Sequence, residues 1–382
     1  MGRPATGPEF FEHRVTAYLE DHFRSLGVPY ERQPIAPLRD NIVACSEAAP
    51  PLPSQEGARS ASSPHAEGAR RGRTILFEVH QDTVPADNMT IDPFGARVEN
   101  GRLYGRGACD VKGGLAAMLA AFSRLVRERP RGAATVILAC VVDEEFTFRG
   151  ISELVRRGVR ADLAIVAEPT NLDIVNAHKG VVRWHLHTHG RACHSSSPEH
   201  GVNAIYRMAR LVSGIEQFAE RLRATRADPL LGPPTISVGR IEGGVSVNIV
   251  PERCTIEIDR RLVTDEDPHA APEELTAYLR ALPGVDFPFT TDPPWMSKPP
   301  LSPRLSAEAC ARLGAAIDAV RGSHRVVSVP YGTDASTLAD AGIPSVVFGP
   351  GDIAKAHTCD EWVPLDEVEQ ASEILYRLAL PE

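Results

Sequence analysis

The chain has 382 residues, room for two or three domains of ordinary size, and its 43% apolar content is enough for a sizeable core. A formal net charge of −9 argues against a nucleic-acid partner, which needs clustered Lys and Arg to neutralise phosphate. No apolar run reaches the roughly 20 residues of a membrane span, and the opening MGRPATGPEF lacks an apolar signal core, so the expected location is the cytoplasm, with no membrane partner.

Taken in chain order, Phe10–Leu26 is predicted as an amphipathic helix, with Phe11, Val15, Leu19 and Phe23 at helical spacing and Gly27 as its stop. Asn41–Ala44 and Thr74–Val79 are predicted strands. Between them, residues 46–73 are rich in Ala, Pro, Ser, Gly and Arg and lack the apolar surface to order themselves, which predicts a disordered surface insertion. A short strand at Arg102–Tyr104, a helix at Gly113–Arg127, a strand at Thr135–Val142, a helix at Ile151–Arg157 and a strand at Leu163–Val166 follow. Strands alternating with helices predict an α/β domain with a mostly parallel sheet flanked by helices.

After Gly180 the pattern changes. Val181–His187 alternates, Val202–Ala224 is a long helix, Thr235–Ile241 and Cys254–Arg260 are strands, Pro272–Leu282 is a helix and Val285–Thr290 a last strand. This β-α-β-β-α-β order is ferredoxin-like. The α/β style then returns with helix Ala307–Val320, strand Ser345–Phe348 and helix Leu365–Leu378. The domain expectation is therefore 1–180 and 294–382 as two parts of one catalytic domain, interrupted by a smaller α+β domain at 181–293. His185, His187 and His189 alternate along a strand of the smaller domain and are read as solvent-facing. The seven cysteines are odd in number, widely spaced and free of any CxxC, the pattern of reduced thiols.

Five groups of metal-type residues stand in order along the chain: His80 and Asp82 in HQDTVP, Asp110 in GRGACDVKGG, Glu144-Glu145 in VVDEEF, Glu168 in VAEPT and His357 in AKAHTCDEW. Most of them follow a β-type run. Zinc takes imidazole nitrogen and carboxylate oxygen, and a two-metal hydrolase needs one carboxylate shared by both ions. Asp110, between a glycine turn and a helix start, is placed to be that carboxylate. Of the adjacent Glu144 and Glu145, one can bind metal while the other carries protons, since like charges this close raise one pKa toward neutrality. Asp82, two residues from His80, is suited to orient that imidazole or a neighbouring group.

These motifs, with HSSSPEHGVNAI and FGPGDIAKAHTCDE, resemble the zinc-dependent family of acetylornithine deacetylase, succinyl-diaminopimelate desuccinylase, aminoacylase and glutamate carboxypeptidase, over nearly the whole chain outside residues 46–73. The resemblance implies that His80 and Glu168 hold one zinc, Glu145 and His357 the other, and that Asp110 bridges them, with cobalt or manganese as possible substitutes. It implies Glu144 as general base, Asp82 as orienting residue and a cis peptide after Asp110. It further implies that the 181–293 domain is a lid and dimerisation domain whose His194 reaches the partner subunit's site in a homodimer, and that Asn248, Arg261, Gly332 and Thr333 contact substrate. The implied reaction is removal of an acyl group from a small N-acyl amino acid, N-acetylornithine being favoured by the FGPGDIAKAHTCDEWV ending. Desuccinylation, or cleavage of a short peptide by a dipeptidase or carboxypeptidase of the same family, uses the same groups. A non-catalytic binding protein on this fold would be expected to lack a ligand or the base, and none is missing.

Overall fold

The computed structural model describes residues 11–47 and 73–381; Phe10 and most of the predicted insertion lie outside them. The chain forms two compact units, one of residues 1–176, 302–327 and 333–382, the other of 177–301 and 328–332.

The first unit opens with α1 (His13–Leu26), stopped by Gly27 in the left-handed conformation at φ +69°, and continues through β1 (Tyr30–Ala36), β2 (Arg39–Cys45), β3 (Thr74–His80), β4 (Arg97–Glu99), β5 (Arg102–Tyr104), α2 (Gly113–Glu128), β6 (Thr135–Val141), α3 (Arg149–Arg156), β7 (Leu163–Val166) and the start of β8 (Ile174–His178), whose last two residues begin the second unit. The second comprises β9 (Gly180–His189), α4 (Ala204–Thr225), β10 (Thr235–Gly243), β11 (Arg253–Leu262), α5 (Ala271–Arg280), β12 (Phe289–Thr291) and β13 (Met296–Lys298). The chain then adds α6 (Ala307–Arg321), β14 (Val326–Val329), α7 (Ala335–Asp340), β15 (Ser345–Val347), β16 (Trp362–Pro364) and α8 (Leu365–Ala379).

The main sheet has the order β1-β2-β6-β3-β7-β15-β8-β14. Its centre, β6-β3-β7-β15, is parallel, while β1, β2 and β8 attach antiparallel. This is a mixed, mostly parallel α/β sheet. Parallel strands buried on both faces read as apolar runs, and Ile75, Leu76, Phe77 and Val79 of β3 are all buried. One core joins these strands to Leu19 and Phe23 of α1, Met118 and Phe122 of α2, Leu313 and Ile317 of α6 and Ile374 of α8. Phe23 and Phe122 meet edge to face, centroids 5.9 Å apart. Each fully buried side chain of this size contributes about 1.5–3 kcal/mol.

In the second unit the sheet order is β10-β11-β9-β12, all antiparallel, with β13 also on β9. Asn203 caps α4 by accepting from the Tyr206 amide. Trp184, Leu186, Met208, Leu211, Phe218 and Leu275 form its own core. The predicted strand at Val285–Thr290 shrinks to Phe289–Thr291, because Pro288 has no amide to give the ladder. The three alternating histidines are not all solvent-facing. His187 is buried, its Nδ1 2.9 Å from Thr255 Oγ1 and its Nε2 3.0 Å from Asp292 Oδ2, while His185 is half-buried and His189 exposed. β9 lies between β11 and β12, so neighbours on both sides cover the middle imidazole.

Among the described residues, no helix is long and apolar enough to cross a membrane.

Candidate metal centre

The carboxyl ends of parallel strands are where α/β sheets gather functional side chains. His80 is the last residue of β3. Glu144 and Glu145 follow β6, and Glu168 follows β7. Asp110 sits in the turn before α2, which needs glycine: Gly107 has φ +78°, and a Cβ at Gly113 would lie 2.9 Å from the Ala108 carbonyl oxygen. The Asp110–Val111 peptide is cis.

These segments bring five side chains together. His80 Nε2 lies 3.0 Å from Asp110 Oδ1 and 4.0 Å from Glu168 Oε1. His357 Nε2 lies 3.1 Å from Asp110 Oδ2 and 3.1 Å from Glu145 Oε1. Each oxygen of Asp110 thus faces a different histidine. Ligand atoms of His80, Asp110 and Glu168 all lie within 4.8 Å of one another, and so do those of Asp110, Glu145 and His357.

Asp82 ties the two sides. His80 Nδ1 is 3.1 Å from the Asp82 carbonyl oxygen and 3.6 Å from its carboxylate. That carboxylate also accepts the amides of Glu144 and Glu145 at 3.2 and 3.1 Å. A proton on Nδ1 leaves the neutral His80 Nε2 lone pair facing Asp110 and Glu168.

The electrostatics call for cations. Burial, then the charge of Glu168, pushes the Glu144 carboxyl well above the usual range, and burial, then Asp110, does the same to Glu168. Glu145 is raised by burial, against the hydrogen bond from His357. Burial would raise Asp110 as well, but hydrogen bonds from His357 and His80 hold it below its ordinary value. His357 is drawn up to about 10, by Asp110 first and Glu145 next. A shared carboxylate, two imidazoles and excess buried acid form a nitrogen–oxygen donor set that fits two divalent ions. In the ion-free protein His357 therefore holds a proton at neutral pH, which a metal must displace. We expect zinc affinity, measured by chelator competition between pH 6 and 9, to rise with pH, up to about tenfold per unit for each proton released; a flat profile would contradict this.

Several supporting residues carry no clear signal in the sequence. Glu361 is fully buried; its Oε1 accepts the amides of Cys109 and Asp110 at 2.9 and 3.0 Å, and its Oε2 pairs with Arg106. The only cue was its place four residues after His357, among charges that resemble a solvated face. Lys112, half-buried, donates to the Gln81 carbonyl. Glu78 and Asp334 are also buried, and burial followed by the charge of Asp334 raises Glu78. Cys109 donates its thiol to the Asp352 carbonyl, and burial pushes its pKa up, away from the thiolate form that a nucleophile needs.

The remaining predicted positions lie largely in the second unit. His194 is exposed, with Nδ1 2.8 Å from Ser196 Oγ. It forms a bridge with Ile249, and the Ser195 amide donates to the Asn248 carbonyl at 2.9 Å, so His194 and Asn248 belong to one surface segment. The two adjacent arginines separate: Arg260 is buried and bonded to Glu266, while Arg261 keeps 28% side-chain exposure and pairs with Asp259 at 2.7 Å. Gly332 lies in the second unit and Thr333 in the first, where Thr333 is buried and its Oγ1 accepts the Ala335 amide at 3.2 Å.

The model of Peptidase family M20/M25/M40 matches residues 76–380. Acetylornithine deacetylase of Myxococcus xanthus is 32% identical over 315 residues, covering 81% of this chain and 80% of that protein. N-acetyl-L-citrulline deacetylase of Xanthomonas campestris is 30% identical, covering 79% and 80%. Among solved structures, an M20 family metallo-carboxypeptidase of Sulfolobus solfataricus superposes with a TM-score of 0.74 at 20% identity, over 96% of this chain and 93% of that one.

Proposed function

This chain belongs to peptidase family M20/M25/M40 and is a metal-dependent hydrolase of linear amide bonds, and from that premise we propose that it removes the acyl group from a small N-acyl amino acid, N-acetylornithine first among candidates. The observation that carries the proposal is the convergence of two ligand triplets on one Asp110, with Glu144 beside them and outside both. The names of the two deacetylase relatives support the substrate class.

In this reading His80 and Glu168 hold one zinc ion, Glu145 and His357 the other, and Asp110 both, with cobalt or manganese able to substitute. When bound, the ions supply Lewis acidity that polarises the acyl carbonyl and acidifies water. Glu144 takes the proton of the attacking water, its raised pKa suiting a base near neutrality, and returns it to the departing amine. Asp82 fixes the His80 ring and the Glu144-Glu145 backbone. Arg261 and Asn248 recognise the α-carboxylate end, with the Gly332-Thr333 turn adding donors.

Residues 1–180 and 294–382 serve as catalytic domain and 181–293 as lid and dimerisation domain. Exposed Ile241, Val245 and Val247 lie on or just after β10, an edge strand of the second sheet, and an unpaired apolar edge supports a homodimer. In that dimer His194 stabilises the oxyanion in the partner subunit's site. None of the seven cysteines is in a disulfide, which supports the cytoplasm.

The test is a hydrolysis screen of zinc-loaded protein on N-acetylornithine, N-succinyl-diaminopimelate, N-acetylmethionine and dipeptides. Deacylation outpacing peptide cleavage is expected; dipeptide cleavage alone would overturn the substrate assignment. A second result bears on the dimer. Mixing His194→Ala with Glu144→Gln should recover activity that neither has alone, because a mixed dimer rebuilds one intact site. No recovery on exchange of subunits would place His194 outside the site.

A further inference from the structure

We propose that Arg39 is a positioning residue for the turn that carries Glu144 and Glu145, acting through Asp143; this rests on the roles proposed above for those two glutamates. The register of β2 on β6 pairs Ile42 with Cys140. Continued toward the start of β2, it sets Arg39 beside Asp143, where the chain leaves β6. The guanidinium forks between two carboxylates. Its Nη1 donates to Asp143 Oδ1 at 2.9 Å, its Nε donates to Glu12 Oε2 at 2.8 Å, and its Nη2 also donates to Glu12. Arg39 keeps 14% side-chain exposure and each carboxylate 2%. The Phe11 ring lies 5.6 Å from the guanidinium carbon. A planar, bidentate group in such a site fixes direction as well as charge, which a lysine does not.

Asp143 shapes the turn. It holds φ +70°, a left-handed conformation that a non-glycine residue keeps only when its surroundings enforce it. Its carbonyl accepts the amides of Thr147 and Phe148 at 3.2 and 2.7 Å. Its Oδ2 accepts the Thr147 hydroxyl and, at 3.4 Å, the Arg149 amide. Asn41, two residues along β2 from Arg39, closes the same turn by accepting the Val142 amide at 3.1 Å and donating to the Gly150 carbonyl at 2.9 Å. On the other side, Asp82 holds the Glu144 and Glu145 amides. The two glutamates are thus aimed by a turn anchored at both flanks, and Arg39–Asp143 is the charged anchor on the β2 side.

A displacement of about 1 Å at a reacting group costs about 10²-fold in rate, and loss of a group that orients a ligand costs about 10–100-fold in metal affinity. The test compares Arg39→Lys and Asp143→Asn with the unaltered enzyme. Zinc affinities are read by chelator competition, kcat and KM on the best amide of the screen, and folding by circular dichroism. The expected signature in both variants is one zinc equivalent bound about 10–100-fold more weakly, the other unchanged, kcat lowered by a similar factor and KM within about twofold. If Arg39→Lys does not fold, Asp143→Asn decides. Folded variants with unchanged zinc affinities and kcat overturn the proposal, however far the melting temperature falls, and leave Arg39, Glu12 and Asp143 a stability element. The zinc titration needs no substrate. An unaltered enzyme inactive on every amide therefore sinks the functional reading while the positioning role is still tested. Normal zinc binding and kcat in the variants of an active enzyme sink the positioning role alone.

Discussion

Glu144→Gln should lower kcat by about 10²–10⁴-fold, the usual contribution of a general base, with the metal content unchanged. The glutamine keeps the shape of the side chain and the backbone bond from residue 144 to Asp82 but cannot accept a proton. Glu144 lies outside both ligand triplets, so the ions should stay. Removing its charge relieves repulsion among the clustered acids, since Glu168 and Glu145 both raise Glu144, and takes one negative charge from beside the ions; metal affinity should hold or fall slightly. Steady-state kinetics with parallel elemental analysis checks this. Undiminished turnover would remove Glu144 from the chemistry, and lost metal would make it a ligand.

Asp110→Asn should be the more damaging change, because it acts on both ions. The two carboxylate oxygens face His80 and His357 separately at 3.0 and 3.1 Å, and an amide presents one oxygen and no net charge. We expect at least one ion to be lost and turnover to fall by about 10³-fold or more, the several kcal/mol that a Lewis acid contributes to the transition state. The Glu361 bond to the residue 110 amide does not depend on the side chain, so the variant should fold. Normal metal content in Asp110→Asn would refute the shared-ligand assignment.

The parts of this site that were legible in the sequence are those whose chemistry is rare at strand ends. His80, the Glu144-Glu145 pair and Glu168 each close or follow an apolar run, and the parallel register of β3 with β6 and β7 is what brings them side by side. Groups whose partners are distant backbone amides were not legible. Glu361 looks like any acidic surface residue until the fold sets it beneath the Asp110 turn. Arg39 likewise looks like a strand-end charge until β2 pairs with β6. The burial of His187 depends on Thr255 and Asp292, both remote in sequence. β1 was missed because Pro34 interrupts YERQPIA; it is an edge strand with a register shift between Pro34 and Ala36, where a missing amide is tolerated.

In the proposed function Asp110 is shared between two metal ions. Crystals grown with zinc, measured at the zinc absorption edge, test it most directly. Two anomalous peaks about 3.5–4 Å apart are expected, one against His80 and Glu168, the other against Glu145 and His357, with an oxygen of Asp110 on each. A map with no peak among these side chains, or with ions bound only elsewhere on the chain, would contradict it.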